Sequence, residues 1–93
     1  MKNIRETLAK EMKDKGFREA YEHYRNSYLI GESVRKLRRI AGMTQKDLAE
    51  AMGVPQQSIS RLERGDADNP TLDTLERIAQ ATGRKLVVDF VVA

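Results

Sequence analysis

Five side chains within a nine-residue stretch have types suited to reading another macromolecule: Gln56, Gln57, Ser60, Arg61 and Arg64. A glutamine amide pairs a donor with an acceptor and so matches the edge of adenine, while an arginine fork matches guanine. At helical spacing these residues crowd one side of a helix, and Ser58, Ile59 and Leu62 share the other. Nothing nearby supplies a nucleophile with its base. His23 is the single histidine, without a second ligand, and is expected at the surface. With no cysteine, thiolate metal sites and disulfides are unavailable. The chemistry on offer is recognition, so no enzyme, no cofactor and no metal are expected.

Two helices joined by a tight turn must hold that face in place. Thr44 is a good N-cap, with Asp47 three residues on to complete a capping-box-like start. Leu48, Ala49 and Met52 then fall on one helical face. Gly53 ends the helix, with positive φ expected there, and Pro55 suits the first position of the next helix. Two consecutive helices about a glycine turn, the second polar and cationic, predict a helix-turn-helix.

The run MTQKDLAEAMGVPQQSISRLERG resembles the helix-turn-helix core of the Cro/C1-type (XRE) repressors. It carries Thr-Gln, Leu-Ala, Gly-Val, Ile-Ser and Glu-x-Gly at that family's spacing, over roughly residues 33–83. The resemblance implies a mainly α, lambda-repressor-like five-helix domain that binds operator DNA as a dimer. Pro55 departs from the family, which usually has Ser or Thr there as a cap. Gln56, Gln57 and Arg61 are the expected base contacts, with Ser60 a helper. Gln45 resembles the family's phosphate-binding glutamine and would also buttress Gln56. Arg38, Arg39, Lys46 and Arg64 are candidates for the DNA backbone.

Charge agrees with that placement. The net charge is only +3, yet residues 33–65 hold seven Lys/Arg against three Asp/Glu. The flanking segments are close to neutral or acidic, so positive charge collects where phosphates would lie. No apolar run approaches membrane-spanning length, and the N-terminus lacks a signal-peptide core; a cytoplasmic, nucleoid-associated protein is expected. One domain with an appendage fits 93 residues, and so small a core would gain from dimerisation.

Ahead of the domain, Met1, Ile4, Leu8 and Met12 form a thin apolar stripe, narrower than an ordinary core-facing surface. A break is predicted over Lys10 to Gly16. Phe17, Tyr21, Tyr24 and Tyr28 then recur along one side of a helix over 17–29. They either pack on the domain or bind a partner, since Tyr gives large contact area at low entropy cost. A first domain helix over 30–41, either separate or continuous with this one, turns Ile30, Val34, Leu37 and Ala41 inward.

Beyond the reading helix, residues 65–70 form a turn-rich loop in which Asp66 and Asp68 disfavour phosphate contact. Thr71 caps a helix whose inward stripe is Leu72, Leu75, Ile78, Ala79 and Thr82. The tail KLVVDFVV predicts one C-terminal β-strand. Leu86, Val88, Phe90 and Val92 share one of its faces. A lone strand leaves backbone groups unpaired, so pairing with the same strand of a second copy, as a homodimer, is expected. The chain thus divides into an N-terminal helical extension (1–29), the DNA-binding domain (30–83) and a dimerisation strand (84–93).

The whole layout, with FREAYEHYRNSY ahead of the domain and GRKLVVDFVV after it, also resembles antitoxins of the HigA type. That resemblance implies autorepression of an operon and direct neutralisation of a RelE-like ribonuclease toxin, HigB. Glu6, Glu11, Asp14, Glu19 and Glu22 would then face a basic nuclease. A stand-alone repressor with the same DNA face, and an adaptor using the fold only for protein contacts, are the competing readings. DNA binding with sequence preference separates the adaptor, and a partner protein separates the lone repressor.

Overall fold

A computed structural model describes residues 3–67 and 69–93; Met1 of the first stripe and Asp68 of the loop lie outside them. Its helices are α1 (Ile4–Glu11), α2 (Lys15–Ile40), α3 (Gln45–Met52), α4 (Gln56–Glu63) and α5 (Leu72–Ala81). Side-chain caps start four of them. Asn3, Asp14, Thr44 and Thr71 each accept the N–H three residues on, satisfying a donor that the helix leaves orphaned.

The break predicted over Lys10 to Gly16 falls at Met12 to Asp14. Asp14 takes the Phe17 N–H at 2.8 Å, so α2 restarts at Lys15 and carries Gly16 in its first turn. From there α2 runs uninterrupted for 26 residues, across the boundary expected at residues 29 and 30. At the rise of an α-helix that is about 39 Å.

The core is made by the second half of α2 with α3, α4 and α5. Val34, Leu48, Ala49, Met52, Ile59, Leu62 and Ile78 are buried together, with Ile30, Met43, Val54 and Leu75 packed against them. The inward face read for α3 is buried throughout. On α5 the stripe shifts: Ile78, Ala79 and Thr82 are buried, whereas Leu72 is exposed. Thr82 removes the cost of burying its hydroxyl by donating to the Ile78 carbonyl at 2.8 Å.

Gly31 lets α2 cross the end of α4 at backbone contact. A Cβ there would stand 2.8 Å from the Glu63 carbonyl oxygen and against that of Leu62. Arg77 of α5 in turn donates to the Met52 carbonyl at the C-terminus of α3. These two contacts lock the pair α3–α4 from both sides.

The expected C-terminal strand is a correction. Residues 84–93 take no regular secondary structure, and no strand occurs among the described residues. A strand needs a ladder partner, and the described residues offer this segment none. Instead Leu86 to Asp89 border a cleft of about 630 Å³ with Leu29, Ile30, Leu37 and Ile78. Leu86 is half-buried there, while Val88, Phe90 and Val92 are exposed.

Candidate nucleic-acid interface

Local chemistry sets the two helices that carry the site. At the start of α3, Thr44 and Asp47 complete a capping box, the Asp47 carboxylate accepting the Thr44 N–H at 2.9 Å. Those bonds hold the Asp47 carboxyl below the usual carboxylate range. Gly53 follows with φ 67°, the left-handed conformation that lets the chain turn without a Cβ clash. Pro55, expected as the first residue of α4, is its N-cap instead and makes no side-chain cap. Its fixed φ of −63° goes with an extended ψ of 146°, which directs the chain into the helix.

Gln56, Gln57 and Arg61 are exposed on α4, on the side opposite the buried Ile59 and Leu62. Lys46 on α3 and Arg39 on α2 are exposed as well, and Arg39 borders a cleft with Gln45 and Arg64. Ser60 and Arg64 are tied to each other: Arg64 Nη1 donates to Ser60 Oγ at 3.1 Å, and its Nε to Asp66 Oδ2 at 3.1 Å. Asp66 thus orients an arginine at this face, a role the loop reading did not foresee.

Arg38 is a second correction. It is not a surface cation for phosphate but lies buried, with only 11% of its side chain exposed. Its Nε donates to Glu63 Oε2 at 2.7 Å, its Nη2 to Glu63 Oε1 at 3.0 Å, and its Nη1 to the Met43 carbonyl at 2.8 Å. Arg35 donates to the Glu63 carbonyl at 3.2 Å. Gln45 Nε2 adds a further bond to Glu63 Oε1 at 3.2 Å. Glu63 is therefore the hub joining α2, the start of α3 and the end of α4. It was missed, although its place four residues after Ile59 puts it on the inward face of α4, where a carboxylate requires a cation.

Burial alone would push the Glu63 carboxyl up. Hydrogen bonds from Arg38 and then Gln45, with the charges of Arg38 and Arg35, outweigh burial and hold it below its ordinary value. A carboxyl depressed on folding stabilises the native state above its unfolded pKa of about 4.3. That stabilisation is lost as pH falls from there through the native pKa, where the unfolded chain binds more protons. Thermal melts between pH 7 and 2 should show a falling acid limb, and Glu63→Gln should flatten it, leaving chiefly the share from Asp47. An acid limb identical in both proteins would remove Glu63 as its source.

On the extension, Phe17 and Tyr21 are half-buried and stacked with ring centroids 6.3 Å apart, whereas Tyr24 and Tyr28 are exposed. His23 is exposed on the same helix.

A capped helix, a glycine turn and a second helix with a polar outer face over a shared core define a helix-turn-helix unit. The chain belongs to the helix-turn-helix family HTH_3, whose family model spans residues 34–88. It is similar to an uncharacterized HTH-type transcriptional regulator, y4dJ, of Sinorhizobium fredii, 46% identical over 55 residues. That match covers 59% of this chain and 70% of the relative. An uncharacterized HTH-type transcriptional regulator of Methanothermobacter thermautotrophicus is 42% identical over 57 residues, covering 61% and 81%.

Proposed function

We propose that this protein is a DNA-binding transcriptional regulator that reads its operator with α4. The observation that carries the reading is the joint exposure of Gln56, Gln57 and Arg61 on one side of a helix whose other side is core. Arg39, Lys46 and Arg64 act on phosphates, and Arg38 is left out because its guanidinium is committed inward. Both relatives are named as regulators, which supports the same reading. The exposed tail residues Val88, Phe90 and Val92 support a homodimer in which two copies pair their tails. Each would place one α4 about one DNA turn from the other.

The test is selection of a preferred duplex followed by footprinting. Two half-sites one turn apart are expected, reduced to weak single-site binding when residues 85–93 are removed. Arg61→Ala should cost about 1–3 kcal/mol on the selected duplex and relax preference at one base step. Arg39→Ala should weaken all sequences alike and reduce the salt slope by about one. Unchanged affinity and preference in the Arg61 variant would take it out of the base-reading set.

A second reading adds a protein partner, and one observation favours it. Among the described residues of 3–29 none is buried, and this arm presents Ile4, Tyr24 and Tyr28 to solvent. An arm without a core of its own suits a HigA-type antitoxin that grips a RelE-like toxin. Co-expression with each small neighbouring reading frame should find one that is toxic alone, is rescued by this protein, and co-elutes with it. Absence of any such neighbour leaves the stand-alone regulator.

A further inference from the structure

We infer that Glu63 is a positioning residue for DNA backbone binding, its carboxylate orienting the Gln45 amide toward a phosphate. The inference rests on the DNA reading above and deepens it. Glu63 is saturated as an ion-pair partner by the two bonds from Arg38, at 2.7 and 3.0 Å. The third bond, from Gln45 at 3.2 Å, is not required to neutralise it. An ionised carboxylate only accepts, so Gln45 has to turn its NH₂ end to Glu63 and not its carbonyl. One N–H of that nitrogen is used, and the other remains for an outside acceptor.

The surroundings specify that acceptor. Gln45 and Glu63 line a cleft of about 280 Å³ together with Arg35, Arg38, Arg39 and Arg64. Its single carboxylate is neutralised by Arg38, so the cleft is net cationic and rich in N–H donors. Gln45 is also the first residue of α3, where the helix dipole favours an anion. A phosphodiester oxygen meets all three conditions. Without Glu63, the Gln45 side chain would sample its rotamers, and the grip would lose its preorganised donor.

Two double variants with equal net charge separate this role from stability. Arg38→Met/Glu63→Gln retains a carbonyl acceptor for Gln45, and Arg38→Met/Glu63→Leu does not. Binding is read by fluorescence anisotropy on a mixed-sequence 24-bp duplex across a salt series, with a thermal melt of each protein. The leucine variant should bind about five-fold more weakly than the glutamine variant at every salt concentration, with the same salt slope, because a neutral amide releases no counterion. Adding Gln45→Ala should cost about five-fold in the glutamine background and nothing further in the leucine background. Equal binding by the two double variants, or an equal Gln45→Ala effect in both, overturns the role of Glu63 while the DNA reading stands. A parent protein that binds no duplex at low salt overturns both. Should the leucine variant fail to fold, the Gln45 side-chain amide of the parent is read by ¹⁵N NMR. Shifted, slowly exchanging amide protons are expected; random-coil shifts with fast exchange overturn the proposal.

Discussion

Replacing Glu63 with alanine is expected to cost about 3–5 kcal/mol of folding stability, a large share of what a domain of this size possesses. The cause is the residue left behind. Arg38 would keep its charge in a site where only 11% of its side chain meets solvent, with the Met43 carbonyl as its remaining partner. The carboxylate now takes two of its N–H groups, and Gln45 would lose its acceptor as well. The paired replacement Arg38→Met/Glu63→Leu removes both charges and should cost far less, because a desolvated ion pair roughly cancels its own attraction. Urea titration of the single and double variants measures the difference. A Glu63→Ala protein as stable as the parent would mean that water reaches Arg38 freely.

Gly31→Ala is expected to be almost as damaging, at about 3 kcal/mol, with a melting temperature lower by roughly 10–20 °C. In the middle of an exposed helix this change would help, since alanine is the better helix former. Here the sign reverses. The added methyl would press on the Leu62 and Glu63 carbonyl oxygens, which belong to backbone and cannot rotate away. Relief requires α2 and α4 to separate, loosening the packing of Val34 on Ile59 and Leu62 and stretching the Arg35 bond to the Glu63 carbonyl. A melting temperature equal to or above that of the parent would show that the two helices can part at little cost.

Much of the fold could be read from local chemistry. Thr44, Asp47, Gly53 and Thr71 act within three or four residues of themselves, and such effects belong to the sequence alone. The apolar phases of α3 and α4 were legible for the same reason. Errors arose where a residue's role depends on a distant one. Arg38 sits in a run of basic residues, but it follows Val34 by four and so faces the core, where Glu63 answers it from 25 residues away. Helical phase on both helices carried that signal; composition hid it. Gly31 gave no local sign, because its need for a bare Cα comes from α4. The tail shows the reverse case: its composition suits a strand, yet a ladder requires a second strand that the described residues do not supply. The exposed face of α4 was legible as a pattern, since Gln56, Gln57 and Arg61 keep their phase against Ile59 and Leu62.

The unbroken run of α2 makes it a lever. Its fulcrum is Gly31, where it bears on the end of α4, and its longer arm extends 16 residues back to Lys15, with Gly65 set against Tyr28 close to the pivot. That arm is about 24 Å long, so a turn of 10° at the fulcrum moves its tip by about 4 Å. Read in reverse, a force applied at the aromatic end would act on the last turn of α4 with mechanical advantage if α2 stays straight. Tyr28 and Leu29 lie within one turn of the pivot, whereas Phe17 is nearly four turns away, so a load placed there turns the lever with the greater torque.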